Sequence, residues 1–300
     1  LVELVKLANL IININKSIAC GNRIQSIFEM QPSITDGSGQ KVDKVQTDTA
    51  DRSEEAEYAV EFSHVGLTYA GAGDESLTDI DFTVKKGETI GIIGGTGSGK
   101  STLINLIPRF YQYQQGEILV DGVEVTKYPF EQLRTKIGIV PQKAVLFKGT
   151  VRENMQYRDK NATDKQIINA LEIAQAYDFV SQKPEGLDHL ILQGGRNLSG
   201  GQRQRLTIAR ALVDNPEILI LDDSASALDL ATEAKLRKAI AEKTNDMTVF
   251  ISSQRVSSIC HADKIIILED GKIVGIGTHD ELIKSCDVYK EICKSQNYDN

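Results

Sequence analysis

The run Gly94-Gly95-Thr96-Gly97-Ser98-Gly99-Lys100-Ser101 has the spacing G-x4-G-K-[ST]. Glycines at that spacing let backbone N–H groups turn inward round phosphate oxygens. The lysine places a point charge between the β and γ phosphates, and the serine hydroxyl can ligate Mg2+. Gly94, Gly95, Thr96, Gly97, Ser98, Gly99, Lys100, Ser101 and Thr102 are therefore candidate contacts to a nucleotide, with Ser101 also a metal candidate. Glu217-Ile218-Leu219-Ile220-Leu221-Asp222 reads as an apolar strand ending in a carboxylate, a second Mg2+ candidate. These two motifs fit kinases, GTPases, helicases and transporters alike. Asn197-Leu198-Ser199-Gly200-Gly201-Gln202 narrows the choice, because Ser-Gly-Gly at the start of a helix is a second anion site with a hydroxyl and free amides. Two anion sites against one lysine loop imply a head-to-tail pair, each nucleotide held between one chain's loop and the other chain's Ser199, Gly200, Gly201 and Gln202.

These residues need elements to carry them. Thr89–Ile93 is a short apolar run that a buried strand would use, and Ser101–Phe110 reads as the helix after the phosphate loop. Residues 218–221 and 248–252 have the composition of buried parallel strands. Residues 59–62 and 80–84 alternate like antiparallel strands, and 117–120 closes on Asp121-Gly122, a hairpin signal. A second hairpin is expected over 265–274 round Asp270-Gly271, with helices over 163–179, 203–212 and 280–295. The first thirty residues repeat apolar positions at helical spacing, read either as a surface helix or as the end of a longer one. Residues 31–57 hold Pro32, Asp36-Gly37-Ser38-Gly39 and a charged run, and read as a linker.

Three hundred residues suffice for a full core and about two domains. Thirty-four basic against 42 acidic residues leave a net charge of −8, which argues against nucleic acid as a partner. Four cysteines without a CxxC spacing point to a reducing, cytoplasmic setting. No apolar run approaches the ~18 residues of a membrane span.

Taken together, these motifs resemble the nucleotide-binding domain of ATP-binding cassette (ABC) transporters of the exporter type, over about residues 58–295. The resemblance implies an α/β fold: a P-loop NTPase core with a mostly parallel sheet, an antiparallel β subdomain (about 58–82 and 117–126) and a helical signature subdomain (about 145–197). It implies ATP and Mg2+ as cofactors. Tyr69 would stack on adenine, although a core tyrosine would read the same. Val140-Pro141-Gln142 matches the family's Q-loop, so Gln142 would reach Mg2+ and the attacking water; an ordinary loop glutamine is the alternative. Residues 147–154 resemble the segment facing the membrane domain, and Gln193-Gly194-Gly195 the exporter-specific loop. Ser226-Ala227-Leu228-Asp229 resembles the loop that crosses the dimer, which makes Asp229 a nucleotide-side candidate. His279, in Gly277-Thr278-His279-Asp280-Glu281-Leu282, reads as structural. The division implied is 1–30, the cytoplasmic end of the last helix of a missing membrane domain; 31–57, linker; and 58–298, the ATP-binding domain. The place implied is the cytoplasmic face of the cell membrane.

Two positions depart from the family pattern. Its general base is a Glu directly after the Mg2+ aspartate, where this chain has Asp223, one methylene shorter. Its switch histidine follows Ile251-Ser252-Ser253, where this chain has Gln254, which cannot carry an imidazolium charge. Asp223, Gln254 and Gln142 are thus the catalytic candidates of a site expected to bind ATP and hydrolyse it poorly. The intact Ser199-Gly200-Gly201-Gln202 would serve a non-identical half-transporter that supplies Glu and His. An active homodimer with Asp as base, and a soluble cassette ATPase, are the competing readings.

Overall fold

A computed structural model describes residues 1–30, 32, 34–37, 57–224, 227–244 and 247–298. The chain divides into two compact units, Leu1–Thr35 and the remainder from Asp36. The first unit is a single helix, α1 (Val2–Glu29). Its exposed apolar side chains, among them Leu4, Val5, Leu10, Ile24 and Ile27, point all round the helix, so the expected helical repeat does not resolve into one apolar stripe. Among the described residues no helix is long and apolar enough to cross a membrane. The expected linker lies mostly outside the described residues.

The second unit runs in order β1 (Tyr58–Leu67), β2 (Leu77–Lys85), β3 (Thr89–Ile93), α2 (Lys100–Leu106), β4 (Gln115–Val120), β5 (Val123–Glu124), α3 (Phe130–Lys136) and β6 (Ile137–Val140). It continues with β7 (Gly149–Thr150), α4 (Val151–Met155), α5 (Asp164–Ile173), α6 (Tyr177–Ser181), β8 (Leu190–Ile191), α7 (Gly200–Leu212), β9 (Ile218–Asp222) and α8 (Leu230–Lys243). It closes with β10 (Thr248–Ser253), α9 (Val256–Ile259), β11 (Lys264–Glu269), β12 (Lys272–Gly277), α10 (His279–Ser285) and α11 (Asp287–Ser295).

Two sheets and a helical layer follow from these runs. The six-stranded sheet has the order β12-β11-β3-β10-β9-β6, parallel except for β12. Its inner strands are apolar on both faces because helices and the second sheet cover them. The second sheet, β2-β1-β4-β5, is antiparallel, and its inner face packs on the first through Phe62, Phe82, Ile90, Ile220 and Phe250. The β4–β5 hairpin turns at Asp121 and Gly122, both at positive φ, as the Asp-Gly pair requires. A separate core under α4–α8 is built from residues such as Met155, Leu171, Ile208 and Leu236. A third gathers Val256, Ile259, Leu282, Tyr289 and Cys293. The expected α/β architecture with its two subdomains is therefore present.

Three expected helices are shorter or broken. α2 stops at Leu106 instead of reaching Phe110, because Pro108 has no N–H to donate and Arg109 sits at φ +56°. The helix expected over 163–179 splits at Gln175 (φ +57°), where the Ala176 N–H donates to the Leu171 carbonyl in a Schellman closure. The C-terminal helix breaks at Cys286, whose extended backbone redirects α11 so that Tyr289 and Cys293 enter the third core.

Candidate nucleotide site

The strand order explains the site. Neighbours β3, β10, β9 and β6 run parallel, so the residues following each of them gather at one rim, the carboxyl edge of the sheet. The phosphate loop follows β3; Gln254 follows β10; Asp222 ends β9 and Asp223 follows it; Gln142 follows β6. Register places Ser252 opposite Asp222 and Ser253 opposite Ile93. A cavity of about 780 Å³ opens there, lined by Tyr69, Thr96, Gly97, Gly99–Thr102, Gln142, Asp222, Asp223 and Gln254 among others. That is within the ~300–1,000 Å³ of small-molecule sites.

The loop's glycines earn their places differently. A Cβ on Gly94 would sit 2.1 Å from the Leu268 carbonyl oxygen. Gly99 takes φ +100° directly before α2, a conformation costly for any residue with a Cβ. Lys100 is 8% exposed. Its Nζ donates to the carbonyls of Gly94 (2.8 Å) and Gly95 (2.7 Å) and to Ser98 Oγ (3.4 Å). Burial lowers its pKa, while the carboxylates of Asp223 and Asp222 oppose that shift.

The oxygen donors meet beside it. Ser101 Oγ donates to Asp222 Oδ1 at 3.0 Å, and Gln142 Nε2 donates to Asp223 Oδ2 at 3.2 Å. A hydroxyl, a carboxylate and an amide are hard donors that fit Mg2+, an ion held by one or two carboxylates together with phosphate oxygens and water. No cluster of three or more His, Cys, Asp or Glu able to hold a metal occurs among the described residues. Asp223 sits at φ +42° with its N–H on the Ser252 carbonyl. Burial raises its pKa first of all; Asp222 adds to the rise, and Gln142, Arg255 and Lys100 oppose it.

At the other end Tyr69 is half-buried. Its hydroxyl lies 2.9 Å from Thr102 Oγ1, and its ring meets Tyr111 edge-on at 5.1 Å. It packs on the core and lines the cavity at once, so the two sequence readings of Tyr69 are compatible.

Ser199, Gly200, Gly201, Gln202 and Asp229 do not line this cavity. Ser199 caps α7 in a full capping box: its Oγ accepts from the Gln202 N–H (3.2 Å) and Gln202 Oε1 accepts from the Ser199 N–H (2.9 Å). A Cβ on Gly201 would lie 3.4 Å from the Ala227 carbonyl oxygen, so the start of α7 lies against the segment leading to Asp229. Asp229 caps α8 through Thr232, which holds its carboxyl below the usual range. Ser226 lies outside the described residues. His279 is structural as read, its Nδ1 2.8 Å from the Tyr289 hydroxyl.

Sequence reading missed part of the lining. Residues 72–76, Ser252 and the Asp270-Gly271 turn all border the cavity. The turn was legible only as a hairpin; its role comes from long-range contact, the Gly271 N–H donating to the Ser98 carbonyl (3.2 Å) and the Gly271 carbonyl accepting from the Thr78 N–H (2.9 Å).

A phosphate loop, a strand-end aspartate beside its serine and a capped Ser-Gly-Gly helix on this sheet order define a nucleotide-hydrolysing cassette. The family model described as ABC transporter matches residues 77–226. The chain belongs to the ABC transporter family, as an ATP-binding ATPase domain that uses ATP with Mg2+. It is 44% identical over 265 residues to the uncharacterized ABC transporter ATP-binding protein YfiB of Bacillus subtilis (strain 168), covering 86% of this chain and 46% of that protein. A Staphylococcus aureus (strain NCTC 8325 / PS 47) protein, provisionally named a multidrug export ATP-binding/permease protein, is 43% identical over 238 residues, 79% of this chain and 41% of its own length. The structure of a bacterial Atm1-family ABC exporter with ATP bound superposes with a TM-score of 0.83 at 30% identity, covering 94% of this chain and 48% of that one. The chain thus spans less than half the length of these relatives.

Proposed function

We propose that this chain is the motor domain of an ABC exporter on the cytoplasmic side of a membrane. Its own catalytic site is weak, and its Ser199-Gly200-Gly201-Gln202 completes the site of a non-identical partner. The observation that carries the reading is that Asp223 and Gln254 line the same cavity as Lys100, Ser101 and Asp222. The binding residues are of the standard type, while the two that would act on the attacking water and the γ-phosphate are short or uncharged.

In this reading backbone amides of Gly95–Gly99 and the Lys100 ammonium hold phosphate oxygens, and Tyr69 covers the base. Ser101 and Asp222 hold Mg2+, with Gln142 reaching it directly or through water. Bound there, Mg2+ supplies Lewis-acid neutralisation of charge on the phosphates. Asp223 orients the water from its place beside Gln142, a methylene short of a glutamate's reach. Closure of the dimer on ATP, which binds the closed state more tightly, would drive a membrane domain preceding residue 1; α1 would be the end of its last helix. The active homodimer, with Asp223 itself as base, stays the rival reading.

The test is steady-state Mg·ATP turnover of the wild-type chain against the Asp223→Glu/Gln254→His double variant, with ATP binding confirmed for both. The expected gain is tenfold or more, ~1.4 kcal/mol off the barrier. Brisk wild-type turnover with no gain supports the homodimer instead.

A further inference from the structure

Gln254 and Arg255 are the two residues through which β10 passes into α9. The backbone on either side of Arg255 is held by a side chain from the far end of the domain. Gln296, just past α11, donates its Nε2–H to the Gln254 carbonyl at 2.7 Å and accepts the Val256 N–H on its Oε1 at 2.9 Å. No side chain of its own caps α9, so Gln296 is its cap, supplied from forty residues downstream. Ser253 Oγ accepts the N–H of Arg255 at 3.0 Å. Gln296 is exposed, but the elements flanking it are anchored. Cys293 and Tyr289 of α11 are 1% and 0% exposed in the core that also contains Val256 and Ile259, and the Tyr298 hydroxyl lies 3.1 Å from Cys260 Sγ.

We propose that Gln296 is a positioning residue for the switch position: its amide sets the backbone from Gln254 to Val256 and thereby the place of the Gln254 side chain over the nucleotide cavity. The C-terminal helix is then coupled to the catalytic rim rather than being a passive cover. This rests on the reading that residue 254 acts on the bound nucleotide.

The two hydrogen bonds separate the positioning role from the structural one. Gln296→Glu keeps an acceptor for the Val256 N–H, and so the α9 cap, but sets a carboxylate oxygen against the Gln254 carbonyl. Gln296→Ala loses both. In the full-length protein, kcat, KM for Mg·ATP and Tm are measured for these variants and for Gln254→Ala. The same Gln296 substitutions are made in the Asp223→Glu/Gln254→His background, where faster turnover is expected. Both Gln296 variants should lower kcat by about threefold or more with KM within about twofold, the pattern of an interaction realised in the transition state. Gln296→Glu should lose less Tm than Gln296→Ala, which also loses the α9 cap. Wild-type kcat in Gln296→Glu, or a loss confined to KM, beside a Gln254→Ala that does lose turnover, overturns the positioning role and leaves that of Gln254 standing. An unaffected Gln254→Ala removes the role of residue 254 and the proposal with it.

Discussion

Lys100→Met removes the ammonium while keeping an unbranched stem of similar length, and the structure sets the size of the effect. As a charged donor Lys100 would make two contacts to β and γ phosphate oxygens, each about 1.5–3 kcal/mol. Part of this is returned, because in the nucleotide-free chain Nζ already donates to the Gly94 and Gly95 carbonyls at 2.8 and 2.7 Å. A net loss of about 2.7 kcal/mol, a hundredfold in Kd, is the expected result. Stability moves less. Burial disfavours the charged form of Lys100, so methionine relieves that cost while leaving the two carbonyls without this donor. The two effects oppose one another, and the nucleotide-free Tm should shift by only a few degrees, the scale of ~1 kcal/mol in a chain of this size. The assay is ATP affinity by calorimetry beside a thermal melt without nucleotide. An ATP affinity within threefold of wild type, at unchanged Tm, would refute the phosphate assignment and the reasoning from geometry behind it.

Two further outcomes are expected. Tyr69→Ala should weaken ATP binding by ~1–3 kcal/mol, the scale of a base–aromatic stack, whereas Tyr69→Phe, which loses only the 2.9 Å contact to Thr102, should retain most of the affinity; equal binding by all three proteins, by titration, would assign Tyr69 to the core alone. Asp223→Asn should raise the Tm of the nucleotide-free chain at neutral pH. Burial holds the Asp223 pKa above its unfolded value of 3.8, so the ionised form is the costly one above the folded pKa, and the advantage should fade as pH drops toward 3.8. Melts at pH 7 and pH 4 check it, and a gain of the same size at both would contradict the sign.

Much of the nucleotide site was legible because its parts are local in the chain. The glycine spacing before Lys100 demands a particular backbone, and Gly99 at φ +100° supplies it. Ser199 and Gln202 form their capping box within four residues, and the apolar run 218–221 has the composition of a buried strand before Asp222. The breaks at Gln175 and Cys286 were not legible, because each is set by a backbone conformation that neighbouring residue types do not force, whereas Pro108 already marked the end of α2 in the sequence. Tyr69 was legible only as an aromatic of two possible uses, and it both packs on the core and lines the cavity.

From the sequence alone came the chemistry on offer: a lysine loop for phosphate, Ser101 and Asp222 for a divalent ion, a capped Ser-Gly-Gly helix, and the substitutions Asp223 and Gln254. The tertiary structure alone decided which of these meet. Parallel pairing in the order β3-β10-β9-β6 brings residues scattered from 94 to 254 to one rim, and it leaves the Ser199 helix away from that cavity. It also brought the Asp270-Gly271 turn beneath the phosphate loop and Gln296 onto the Gln254 carbonyl. Local hydrogen bonds and backbone sterics act over a few residues and leave a sequence signature. Contacts between distant segments depend on strand order and the packing of the cores, and no short stretch of sequence carries that information.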